Sequence, residues 1–174
     1  MAYFKDFSEY TYFGPPAQQP GTKNIGWLAD GVAFETEEPA EELLDWVWAY
    51  AKVSTVRSRG MHRCEFCADR HANYPERNGM KLMLGTAELR VFAESGEIYA
   101  APNLIYHYIA VHHYKPPREF VEAMRKGPRP PDQLYVDKLV AHGLDWRETP
   151  APEGDTRAFK LVKTPDGLVK VYVD

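Results

Sequence analysis

Cysteine is almost absent from this chain: among 174 residues there are two, Cys64 and Cys67. Two thiols that close cannot staple a secreted fold, so a disulfide framework is excluded. Long apolar runs are missing as well. No stretch approaches the roughly 20 apolar residues of a membrane span. The opening Met-Ala-Tyr-Phe-Lys-Asp-Phe-Ser-Glu carries acids where a signal peptide needs an apolar stretch, so a cytoplasmic protein is expected. The common catalytic signatures are absent too: there is no His-Glu-x-x-His, no Gly-x-Ser-x-Gly, no P-loop, and no His-x-Glu with Pro-Cys-x-x-Cys.

What is present is ordinary for a globular chain, with 44% apolar and 26% charged residues, but rich in aromatics at 13%. Aromatic side chains are therefore expected to carry much of the core. The net charge of −4 is unevenly spread. Residues 1–51 hold nine acidic and two basic side chains, whereas residues 52–81 hold seven basic and three acidic ones. The two cysteines fall in that basic stretch.

Periodicity predicts an α+β fold. Leu43, Leu44, Val47, Trp48 and Ala51 recur at helical steps, so a helix is expected from Glu38-Pro39 to about Val53. A short strand is expected over 24–29, around Trp27, behind an N-terminal arm laid over the core. Residues 85–92 alternate, with Ala87, Leu89 and Val91 on one face and Thr86, Glu88 and Arg90 on a polar one. Ser95-Gly96 turns the chain back into 98–101, making a hairpin. Helices are then expected from Pro102-Asn103 to about His113, over 118–126, and from Pro131 to His142. A second hairpin is expected from 158–163 and 168–173 about Thr164-Pro165-Asp166-Gly167. This divides the chain into a core over 1–126 and a helix-plus-hairpin extension packed on it over 127–174.

Cys64-Glu65-Phe66-Cys67 with His107 and His112 downstream matches the ligand grammar of structural zinc sites, C-x₂-C with H-x₄-H. The order is knuckle, hairpin, then histidine-bearing helix, which would let one zinc ion pin a treble-clef-like core. Histidines five apart stand about 140° from each other on an ideal helix, which a distorted last turn must correct. His113, His62 and His71 are alternative ligands. A redox dithiol is the other reading of the pair, although Arg57 to Arg63 before it is not the apolar strand such a site follows. Glu88, with Arg90 beside it, is a candidate general base should the metal be catalytic. Otherwise the two form an exposed or cross-strand charge pair. Arg57, Arg59, Arg63 and Arg70 form a candidate anion or partner contact surface, together with Glu88 and Arg90.

Several segments together resemble a family of small bacterial proteins of unknown function. They are Asn24-Ile25-Gly26-Trp27-Leu28, Arg59 to Cys67, Gly85 to Val91, and Tyr99 to Ile109 continuing to His112, Tyr114, Pro116-Pro117 and Phe120. The resemblance spans about residues 3–125, implies a bacterial cytosolic domain, and supplies no reaction or partner. The function expected is non-catalytic: a zinc-stabilised binding protein engaging a protein partner in an immunity-like or regulatory role. The alternatives are a metalloenzyme with an open zinc site and a nucleic-acid binder acting through residues 52–81.

Overall fold

Ser95-Gly96 does reverse the chain, and the hairpin it makes is the centre of the molecule. In the computed structural model, which describes residues 3–58, 60–67, 72–144, 159–164 and 167–172, Gly96 takes φ +94° and its N–H reaches the Ala93 carbonyl. Three strands form the main sheet: β1 (Thr22–Asn24), β4 (Glu88–Phe92) and β5 (Ile98–Pro102). β5 lies in the middle, antiparallel to β4 (Glu88 opposite Pro102) and parallel to β1 (Thr22 opposite Ile98).

Every residue of β4 and β5 is buried. The expected polar face of β4 is thus covered. The helices α1 (Glu41–Lys52) and α3 (Arg118–Lys126) lie against β4. The N-terminal segment closes over Glu88 and Arg90, placing Tyr10 and Ala17 upon them. That segment contributes buried Tyr10 and Ala17 to the core, while its other described residues up to Gly21 are exposed or half-buried. The strand expected around Trp27 lies earlier, at β1, because the indole is fixed differently: its N–H donates to the Ala100 carbonyl at 3.1 Å.

Between α1 and β4 a short hairpin, β2 (Glu76–Arg77) and β3 (Met80–Lys81), turns on Asn78-Gly79, both at positive φ. Asn-Gly is the preferred pair for such a turn because both residues tolerate the left-handed region. Arg77 of β2 donates to Glu41 and Asp45 on α1, at 2.7 and 2.6 Å.

α2 (Ile105–His112) follows β5 directly. His113, in the left-handed conformation at φ +54°, ends it three residues before Pro116. α4 (Gln133–Ala141) stops before Gly143, at φ +66°, and buries Tyr135 and Leu139. Tyr135 packs edge-on against Tyr50 and Phe92 and donates to the Arg90 carbonyl. The C-terminal hairpin pairs β6 (Phe159–Thr164) with β7 (Gly167–Tyr172). The expected turn residues Pro165 and Asp166, and residues 145–158, lie outside the described residues. Among the described residues no helix is long and apolar enough to cross a membrane.

Candidate metal centre

The loop bearing the cysteines has no regular structure of its own, so polar anchors set its position. His62 N–H donates to the Gly85 carbonyl at 2.7 Å, while Asn73 Nδ2 donates to the carbonyls of His62 and Leu84 at 2.7 and 2.9 Å. Gly85 N–H in turn donates to Asn103 Oδ1 at 2.6 Å, and Asn103 immediately precedes the α2 entry. Loop, hairpin and α2 are thereby tied together. Gly85 must be glycine here: its φ is +82°, and a Cβ would overlap the His62 carbonyl oxygen. Asn73, Gly85 and Asn103 were not legible as site residues, because they bind no ligand and act only through backbone groups distant in sequence.

Within that frame Cys64, Cys67, His107 and His112 converge, with one donor atom from each lying within 4.8 Å of all the others. His112 Nε2 stands 3.2 Å from Cys64 Sγ, 3.0 Å from Cys67 Sγ and 3.2 Å from His107 Nε2. His107 Nε2 is also 3.2 Å from Cys67 Sγ. A ring nitrogen has a single in-plane lobe, either a lone pair or an N–H. It can make one good hydrogen bond, not three in three directions. A central cation to which all four donors point accounts for the convergence. These residues therefore fit a metal ion.

The five-residue histidine spacing is accommodated because His112 is the last residue of α2. Beyond it the chain leaves the helix through His113, and the two ligand rings stand 5.0 Å apart at 74°. Burial holds the His112 imidazole below its usual pKa, which keeps it neutral and able to ligate. Phe66, between the two cysteines, packs on His112 at 5.4 Å and on Tyr108 at 5.7 Å. Phe34 covers Phe66 in turn. The lid was missed in the sequence, although an aromatic inside the knuckle was the available signal. Burial and the neighbouring cysteines push the Tyr108 hydroxyl well above its usual pKa, so it stays protonated.

The alternative ligands are engaged elsewhere. His113 Nδ1 faces Glu38 at 3.0 Å, and His62 Nε2 faces the Tyr12 hydroxyl at 3.1 Å. His71 lies outside the described residues, as do Arg59 and Arg70. Arg57 and Arg63 are exposed.

Glu88 and Arg90 are not a surface contact pair. Both are buried, and they sit two apart on one strand rather than across strands. Arg90 Nη1 reaches Glu88 Oε2 at 2.6 Å, and the Tyr10 hydroxyl donates to the same carboxylate at 2.8 and 2.9 Å. The Arg90 guanidinium also lies over the Tyr10 ring. Burial raises the Glu88 pKa, with Arg90 and Tyr10 opposing the shift. The cavity beside Glu88 is only about 10 Å³, too small for a substrate.

The profile of a domain of unknown function, DUF7919, matches residues 2–125. The chain belongs to the DUF7919 family. The matched span takes in all four donors, the main sheet, and α1 to α3 almost to its last residue. α4 and the C-terminal hairpin lie beyond the DUF7919 match, although α4 packs on the DUF7919 core through Tyr135. No curated protein and no solved structure matches the chain.

Proposed function

We propose that the protein is a non-catalytic binding protein whose fold is clipped by one structural Zn²⁺, and that it engages a protein partner. The convergence of four N and S donors carries this reading. A tetrahedral zinc with bonds of about 2.3 Å to sulfur and about 2.05 Å to nitrogen separates its donors by roughly 3.3–3.8 Å. Four of the six donor spacings are 3.0–3.2 Å and need only a small expansion to meet that; all six lie within 4.8 Å. Thiolate and imidazole donors suit zinc better than hard oxygen-seeking cations. Four protein ligands close the coordination sphere and leave no position for a reactive water. The ion would join the knuckle before the hairpin to the helix after it, the treble-clef-like arrangement.

The metalloenzyme reading draws on a carboxylate that is already held. A metal-bound water needs a base free to accept a proton, whereas both Glu88 oxygens are held by Tyr10 and Arg90. A nucleic-acid surface over 52–81 would use exposed Arg57 and Arg63, but Arg77 of the same stretch is turned onto the acids of α1. Exposed Glu65 adjoins Arg63 in sequence as well.

Single-residue variants test the ligand set. His112→Ala is expected to lower zinc affinity by a hundredfold or more, and His113→Ala to leave it within about threefold, as read by competition with a chromophoric chelator. Full retention of zinc by His112→Ala would remove it from the set and favour an open site.

A further inference from the structure

The acidic half of the chain has a definite place on the fold. From Asp30 to Ala51 the sequence holds seven carboxylates and no lysine or arginine. Most of them lie on α1 and the turn leading into it. Where α1 meets α3, a groove of about 560 Å³ opens between the two helices and the Pro116 corner. Its floor is apolar and half-exposed, made of Leu43, Trp46 and Val121 with Pro39 at one end.

The rim is unequal in charge: four carboxylates, Glu37, Glu38, Glu42 and Glu122, face two cations, Lys115 and Arg118. Lys115 is already paired with Glu37 at 3.2 Å, and Glu122 holds Arg125 and Lys126. Among the described residues Glu38 has only the His113 imidazole within ion-pair distance, and its side chain remains 81% exposed. Glu42, in the first turn of α1, is exposed too. The Arg129 guanidinium already lies over the Trp46 ring, 5.6 Å from its centroid.

We infer that this groove takes a short cationic peptide segment of a protein partner. One bulky apolar side chain rests on Leu43, Trp46 and Val121, and lysines or arginines lie against Glu38 and Glu42. The inference rests on the protein-partner reading above and gives that partner a chemistry. An apolar anchor in a half-buried aromatic pocket supplies most of the affinity in such contacts, while the rim charges set register and association rate. The same carboxylates repel nucleic acid and acidic peptides.

The test uses the full, metal-loaded chain labelled with ¹⁵N. The Trp46 indole N–H, one of four, is assigned by its loss in Trp46→Phe. The probe is a synthetic peptide with a Phe-Leu centre flanked by lysine and arginine. A saturable shift of the Trp46 signal is expected, with affinity falling roughly tenfold between 0.05 and 0.3 M salt. In Glu38→Lys/Glu42→Lys, affinity is expected to fall at least tenfold with metal content and amide dispersion unchanged. Absence of a saturable Trp46 shift overturns the proposal. So does an equal response to an Asp/Glu-flanked control peptide, or a Trp46 shift produced by concentrating the protein alone, which would make a second copy the occupant. Metal content read on the same sample keeps the two inferences apart. A zinc-loaded protein with a silent groove loses only the groove, whereas a zinc-free protein loses the structural-metal reading.

Discussion

Replacing Cys64 with serine is expected to release the metal and lower the stability of the chain by about 5 kcal/mol or more, a fall in Tm of roughly 10–20 °C for a protein of this size. The magnitude follows from what the site connects. Cys64 is buried at the end of a loop with no helix or strand of its own, and its sulfur lies 3.2 Å from His112 at the far end of α2. Without the ion, two imidazoles and one thiol remain packed together with too few hydrogen-bond directions to satisfy them. The polar anchors at Asn73, Gly85 and Asn103 then hold the loop alone. Thermal unfolding of Cys64→Ser beside the zinc-loaded parent, with metal analysis of both, measures the effect. A metal-free variant that melts with the parent would show that the site does not hold the fold together.

The second large effect is expected at Arg90. Its guanidinium is fully buried and is the cation beside the Glu88 carboxylate. Arg90→Ala leaves that carboxylate buried with only the Tyr10 hydroxyl as donor, which costs about 3–5 kcal/mol. The pH dependence identifies the cause. Burial already raises the Glu88 pKa in the folded protein, and Arg90 is the main influence opposing it, so its loss raises the pKa further. A carboxyl with a folded pKa above its unfolded value binds a proton on folding. Its contribution is present at low pH and is lost as pH rises through the folded value. The deficit of Arg90→Ala relative to the parent should therefore be largest near pH 7.5 and shrink toward pH 5.5 in urea denaturation. A deficit independent of pH would mean that lost packing, rather than the stranded carboxylate, sets the cost. Glu88→Gln/Arg90→Met removes both charges and is expected to recover much of the loss.

The parts of the fold legible in the sequence are those where local pattern and tertiary need agree. The α1 stripe from Leu43 to Ala51 and the turn at Ser95-Gly96 are of that kind, as is α3, whose bounds match the expectation. Glu88 and Arg90 misled because alternation in a lone hairpin normally turns charge to solvent. Here the N-terminal segment covers that face, and Arg90 and Tyr10 hold the Glu88 carboxylate between them. Nothing within residues 85–92 encodes the arrival of a tyrosine from position 10. Trp27 misled in a related way: an isolated bridge to Phe4, the rings of Phe4, Tyr10 and Tyr12, and an indole hydrogen bond to β5 hold it instead of a strand ladder. The β2–β3 hairpin was readable from Asn78-Gly79, but its strands are two residues each, too short to show a period.

At the candidate site the four donors were legible because thiols are so scarce that two of them three positions apart are informative. The five-residue histidine spacing looked unfavourable only for a helix continuing past His112. The left-handed residue that ends α2 is a histidine, a type that gives no firm stop signal in sequence. Phe66, Gly85 and Asn103 escaped because their roles depend on groups brought in from Tyr108, from His62 and from Gly85 respectively.

A closed, four-ligand metal site is the core of the proposed function, and the composition of that site in the purified protein tests it most directly. Native mass spectrometry combined with X-ray absorption at the zinc edge should find one zinc per chain, bound by two sulfur and two nitrogen donors with no oxygen in the first shell. A chain that carries no metal and whose two thiols react freely with a thiol reagent would contradict it.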